Sequence, residues 1–236
     1  MTSNRPRIAL IHALALSVEP VNEVMARDWP EATRMNLLDD SLSADLATSG
    51  RGLDTAMHKR FQCFAQYALD CGSDAILFTC SAFGPCIEEI ARLHPSVPVL
   101  KPNEAMIKDA SALGRRVGLV ATFAPTLESM PLEFPRDITL ECQLAEGALA
   151  AMNDGNGERH DQLIAAAAVR LADLGCEVIA LAQFSMARAK SLVQRRTGLP
   201  VLSTVDSAVA ELKRSLDGSR SQAVTIDPKF GIIRLW

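Results

Sequence analysis

Cys80 and Gln183 hold matching places in two related stretches of the chain, and only one of them can move a proton. The segment Cys71 to Ser81 lies over Leu174 to Phe184 at an offset of 103 residues. After one gap, Val97 to Leu100 lies over Leu199 to Leu202, and upstream Arg7 to Ile11 lies over Arg116 to Val120. A thiol can serve as acid, base or nucleophile, whereas a carboxamide does not titrate near neutral pH and offers hydrogen bonds alone. Cys80 follows the apolar run Ala75 to Phe78, and Ser81-Ala82-Phe83-Gly84-Pro85 leads into a helical pattern in which Pro85 fits the first turn. A thiol between a strand end and a helix start meets free N–H groups and the positive end of the helix dipole. Both favour thiolate and can hold a carboxylate.

The neighbouring candidates supply polarity rather than reactivity. His12 ends the first strand pattern and is the one evident replacement for a second acid; its other reading is a hydrogen-bonded structural group. Ser81 and Thr122, at strand ends, suit a carboxylate anchor or a turn and cap equally well. Ala82, Phe184 and Ser185 fall in the turns that follow Cys80 and Gln183, where backbone amides would face a substrate, and Ser185 also fits a helix cap. The pair His160-Asp161 near a helix start, and Asp39-Asp40 after the second strand, read as structural.

These residues need strands and helices to place them, and the pattern supplies both. Strands are expected at Arg7 to Ile11, Thr33 to Leu38, Ala75 to Phe78, Arg116 to Val120 and Val178 to Leu181. Helices are expected from Val18 to Arg27, from about Leu53 to Cys71, and from about His160 to Leu174, with Gly72 as a stop. Met152 to Gly157 reads as a surface loop. Short continuous apolar strands alternating with helices predict an α/β fold of two pseudosymmetric, doubly wound lobes with parallel sheets and a central cleft. The expected division is 1–103 for the first lobe and 104–204 for the second. A helix from about 205 to 236 is expected to pack back on the first lobe.

Composition narrows the class. The chain has 236 residues, 48% of them hydrophobic and 5% aromatic, enough to bury two modest cores. A formal charge of −4 without a basic stripe argues against nucleic acid as a partner. The N-terminal residues run straight into a strand pattern and no apolar run approaches about 18 residues, so a cytoplasmic protein without a membrane partner is expected. Six cysteines, at 63, 71, 80, 86, 142 and 176, form no Cys-x-x-Cys pair, which speaks against a metal site. All but Cys80 are expected to be small buried hydrophobes.

Leu77-Phe78-Thr79-Cys80-Ser81-Ala82-Phe83-Gly84-Pro85, the following Val97-Pro98-Val99-Leu100, Gly114 to Phe123 and Val178 to Met186 together resemble the aspartate/glutamate/hydantoin racemase superfamily. The resemblance covers nearly the whole chain and implies two lobes, no cofactor and a small carboxylate substrate. It also implies a cysteine from each lobe on opposite faces of the substrate's acidic carbon. Cys80 matches the first cysteine and Gln183 stands where the second belongs, which removes the two-thiol route. The superfamily also holds single-cysteine branches, among them arylmalonate decarboxylase and isomerases of unsaturated diacids. The expectation is therefore a cofactor-independent isomerase or racemase-like enzyme using Cys80. The alternatives are a decarboxylase or lyase of the same fold, or a non-catalytic carboxylate-binding protein. A homo-oligomer is compatible with the sequence.

Overall fold

The structure is a computed structural model and describes residues 5–223. The first half runs β1 (Arg7–His12), α1 (Val18–Asp28), β2 (Thr33–Leu38), α2 (Ser41–Ser49), α3 (Thr55–Asp70), β3 (Ala75–Phe78), α4 (Gly84–Leu93), β4 (Val99–Leu100) and α5 (Glu104–Leu113). The second runs β5 (Arg116–Ala121), α6 (Ala124–Ser129), β6 (Thr139–Leu144), α7 (Ala148–Asn153), α8 (Gly157–Asp173), β7 (Val178–Leu181), α9 (Lys190–Thr197), β8 (Val201–Ser203) and α10 (Thr204–Ala223). The strands form two parallel four-stranded sheets, ordered β2-β1-β3-β4 and β6-β5-β7-β8. The α/β fold of two lobes expected from the alternation is present.

The repeat persists down to single hydrogen bonds. Ile11 pairs with Phe78 in the first sheet and Val120 with Leu181 in the second. One residue further, the Thr79 N–H donates to the Ile11 carbonyl and the Ala182 N–H to the Val120 carbonyl, both at 3.0 Å. Cys80 and Gln183 therefore leave their sheets at equivalent points. Helices α3 and α8 end alike: Gly72 and Gly175 take φ of 74° and 82°, conformations open to glycine at little cost.

Each sheet is covered on both faces, as parallel sheets require. In the first, Ile8, Leu10 and Leu77 pack with Val21 and Met25 of α1 and with Val205, Val209 and Leu212 of α10. Its other face sets Ile11, Ile76 and Phe78 against Leu42 of α2, Phe61 of α3 and Ile87 of α4. In the second, Leu119 and Ala180 meet Met106 and Ala110 of α5, while Ile179 and Leu181 meet Ile164 and Ala168 of α8 and Val193 of α9. So α5 follows the first sheet but covers the second, and α10 follows the second but covers the first. The two helices also touch each other.

At the start of α10, Asp206 ties the halves together. It accepts from Arg27 Nη2 of α1 at 2.6 Å, from Lys190 Nζ of α9 at 2.7 Å and from the Ser203 hydroxyl at 2.7 Å. Burial alone would raise its carboxyl, but the bonds from Lys190, Ser203 and Arg27 together hold it below the ordinary range.

Gly118 sets how closely α8 lies on β5. A Cβ there would come within 3.0 Å of both Leu171 Cβ and Ile179 Cδ1. Leu171 Cβ is anchored to the helix backbone and cannot swing away, so Gly118→Val must push the helix off the sheet. The expected loss is roughly 1–3 kcal/mol, typical of overpacking. It will show as a lower urea midpoint with an unchanged denaturant slope; an unchanged midpoint would mean that α8 adjusts freely.

Candidate active site

Cys80 leaves β3 in an extended conformation, φ −127° and ψ 119°, and a 3-10 turn over Ser81–Phe83 carries the chain into α4. The side chain is half-buried at a small hollow of about 10 Å³, room for about one water molecule, open on one side and walled by Ile11, His12, Ala13, Leu42, Phe61, Phe78 and Phe83. Phe61 arrives from α3 and stacks on Phe78 at 5.3 Å, with Phe83 5.0 Å away. These apolar walls decide the state of the thiol. Burial pushes Cys80 above the ordinary thiol value, and the Ala82 N–H draws it back only in part. The thiolate expected at the head of α4 is thus not favoured at rest: one amide does not offset three phenyl rings. Cys80 is a protonated thiol at neutral pH.

The other cysteines divide. Cys86 and Cys176 are buried and Cys71 is half-buried, but Cys63 and Cys142 are exposed, against the expectation of core positions. Cys63 lies off the buried Met57-Phe61-Ala65-Ala68 stripe of α3, and Cys142 lies on the edge strand β6. Brief iodoacetamide treatment near neutral pH, followed by peptide mapping, will therefore label Cys63 ahead of Cys80. Fastest labelling at Cys80 would show that its thiolate is better stabilised than the walls allow.

His12 is fully buried and holds a polar network together. Its Nδ1 lies 3.0 Å from the Thr79 hydroxyl and 3.2 Å from that of Ser17, and its Nε2 lies 3.0 Å from Asn36 Oδ1. The tautomer follows from the neighbours. Asn22 Nδ2 donates to the Val18 carbonyl and to Asn36 Oδ1, which leaves Asn36 Oδ1 to accept the His12 Nε2 proton. The neutral ring then accepts at Nδ1, with Thr79 the nearer hydroxyl donor. Burial lowers the His12 pKa, and the Asn36 bond raises it by less. His12 stands in the wall of the hollow with both nitrogens bonded inside the protein and no atom exposed to solvent, the geometry of the hydrogen-bonded structural group that is one of its two readings. It secures the β1 loop and Thr79, the residue before Cys80.

At the equivalent point of the second lobe, Gln183 is tied into the turn after β5. Its Oε1 accepts from the Thr122 N–H at 3.0 Å, with the Thr122 hydroxyl at 3.4 Å, and its Nε2 donates to the Thr126 hydroxyl at 3.1 Å. Thr122 is 8% exposed. The turn after Gln183, Phe184–Ala189, touches α1 and the Ala15–Ser17 turn of the first lobe. Phe184 is buried in the core with Ile8, Leu10 and Val205, so its side chain packs the lobes together. Ser81 and Ser185 are half-buried and Ala82 is exposed at the heads of the two turns.

Sequence reasoning missed Ser17, Asn36, Thr79 and Thr126. One signal was available: Thr126 stands 109 residues after Ser17, the same offset that relates β5 to β1.

The model of the family described as Asp/Glu/Hydantoin racemase matches residues 18–212. The chain belongs to the Asp/Glu/Hydantoin racemase family. No curated protein matches it by sequence. Among solved structures, allantoin racemase from Klebsiella pneumoniae is similar at 17% identity with a TM-score of 0.69, over 90% of this chain and 88% of that one. Glutamate racemase from Francisella tularensis in complex with D-glutamate is similar at 14% identity and TM-score 0.67, over 95% and 86%. Unliganded arylmalonate decarboxylase is similar at 17% identity and TM-score 0.64, over 90% and 94%. At such identities the likeness shows a common fold. This family member, among its described residues, has no cluster of three or more His, Cys, Asp or Glu able to hold a metal ion and no helix long and apolar enough to cross a membrane.

Proposed function

We propose that the protein is a cofactor-independent enzyme that delivers a proton to one face of the α-carbon of a small carboxylate, with Cys80 as the proton donor. The observation that carries this reading is the pairing at equivalent strand ends of one titratable thiol with an amide hydrogen-bonded into its own turn. Inversion needs an acid on one face and a base on the other. Gln183 can be neither, and His12 is buried and bonded within its own lobe. Decarboxylation, elimination or double-bond isomerisation needs a proton on one face only, which favours these over racemisation. In a decarboxylation the bond to the departing CO₂ breaks and its electron pair stays on the α-carbon as an enolate. The Cys80 S–H then transfers its proton to that carbon, and solvent reprotonates the sulfur. Amides at the Ser81-Ala82 turn, with the Ser81 hydroxyl, would hold the remaining carboxylate, and Ser185 would face it from the second lobe. The six free thiols suit a reducing cytoplasm.

The test is incubation in D₂O with malonates, maleate, amino acids and hydantoins, following product and label by NMR and inversion by polarimetry. Deuterium incorporated with one handedness, together with product, is the expected result. Fast inversion by the native protein would defeat the one-thiol reading, and saturable binding with neither label nor product would make it a binding protein.

A further inference from the structure

We propose that Gln183 is a built-in occupant of a carboxylate cradle, and that it sets charge selectivity by excluding a second carboxylate from the second lobe. The proposal deepens the reading of a small-carboxylate enzyme and rests on it only for the identity of the cleft. A carboxamide and a carboxylate share shape and size. Gln183 Oε1 stands where one carboxylate oxygen would accept the Thr122 N–H at 3.0 Å, with the Thr122 hydroxyl within 3.4 Å. Its Nε2 stands where the other oxygen would sit, 3.1 Å from Thr126 Oγ1. To the amide, Thr126 is an acceptor; to a carboxylate, the same hydroxyl rotates and donates. The turn is thus equipped to hold an anion and is filled by the protein's own side chain.

The first lobe has no counterpart. At the matching offset Ala13 replaces Thr122, and Ser17, which replaces Thr126, donates to the Leu14 carbonyl and lies 2.9 Å from Thr79 Oγ1. Cys80 is too short to reach back as Gln183 does. The side chain walls on the Cys80 side bear no charge, since Ile11, Ala13, Leu42, Phe61, Phe78 and Phe83 are apolar and His12 is held neutral. A ligand whose carboxylates stay on the Cys80 side, a geminal diacid losing CO₂ included, fits both halves. A diacid long enough to carry its second carboxylate to the Thr122 turn brings a charge to a place already taken.

The inference is tested on the full chain by calorimetric titration with matched acids of increasing length: malonate, succinate and glutarate against propionate, butyrate and valerate. Gln183→Ala is expected to strengthen binding of at least one diacid relative to its monoacid by tenfold or more, and that diacid will shift the Thr122 amide signal in a ¹⁵N–¹H spectrum. Adding Thr126→Val to that variant is expected to abolish the gain. Gln183→Glu places an anion in the same cradle, and it is expected to fold like the native chain and to bind diacids no better than native. The proposal is overturned if Gln183→Ala gains no diacid selectivity, if the Thr122 amide does not respond, or if the gain survives Thr126→Val. Should Gln183→Ala fail to fold, Gln183→Glu decides through the Thr122 amide. A spectrum showing that amide bonded to the new carboxylate supports the cradle, and one showing it free overturns it. Binding is read without turnover, so the outcomes separate. Turnover without a gain removes the cradle alone, and a gain without turnover on any substrate removes the enzymatic reading alone.

Discussion

Cys80→Ser will fold and will lose turnover by a factor on the order of 10²–10⁴, the usual worth of a positioned acid or base. Serine fills nearly the same space at the edge of the Phe61-Phe78-Phe83 hollow, so melting temperature will move little while the acidic proton is gone. The native enzyme will also show a one-sided pH profile. Because burial holds the thiol above its ordinary value of 9.0, the donor stays protonated through neutral pH and is lost only as pH rises past that higher value. Initial rates from pH 6 to 10 for both proteins check the two statements together. Retention of more than a tenth of native turnover in Cys80→Ser would assign the proton to another group.

His12→Ala will act on stability before it acts on chemistry. The substitution removes a fully buried ring and its bonds to Thr79 and Asn36, while Ser17 keeps the Leu14 carbonyl and the Thr79 hydroxyl as partners. The gap left by the ring and the loss of its hydrogen bonds are expected to cost roughly 2–4 kcal/mol, read as a urea midpoint. The sign of the pH dependence follows from the lowered pKa. In the unfolded chain the imidazole titrates near 6.5, while in the folded protein it titrates lower. Protons therefore bind the unfolded state first as pH falls. This contribution to stability is complete above 6.5 and drains away as pH drops from there toward the folded value. Comparing urea midpoints of native protein and His12→Asn at pH 7.5 and 5.5 isolates it: the native chain will lose more on acidification. If His12 were a full second acid/base, its removal would abolish inversion catalysed by an otherwise stable protein.

Strands buried on both faces are visible as apolar runs, and Ala75 to Phe78 and Val178 to Leu181 occur where the pattern places them. The half-exposed elements are harder to see. β6 lies at a sheet edge and mixes Thr139, Glu141 and Gln143 with its leucines, and α2 buries little beyond Leu42, so neither has the continuous signal of a core element. The site divides along the same line. The offset of 103 pairs Cys80 with Gln183 because each follows a core strand. Apart from the local bonds among His12, Leu14, Ser17, Val18 and Asn22, the His12 network and the Gln183 bonds join residues 14 to 67 positions apart, and such contacts leave no periodicity to find. The raised Cys80 thiol is hidden for a similar reason, since one of the rings that wall it, Phe61, comes from another helix.

The exchange of α5 and α10 also sets an order of assembly. Ile8 and Leu10 are made about 200 residues ahead of the helix that covers them with Val205, Val209 and Leu212. At roughly 5–20 residues per second that interval is on the order of 10–40 s, during which α1 alone covers that face of the first sheet. The second half meets no such delay, because α5 is already made when β5 appears. Synthesis thus runs against the numbering: the later lobe can close first, and the earlier one is sealed by the last helix described.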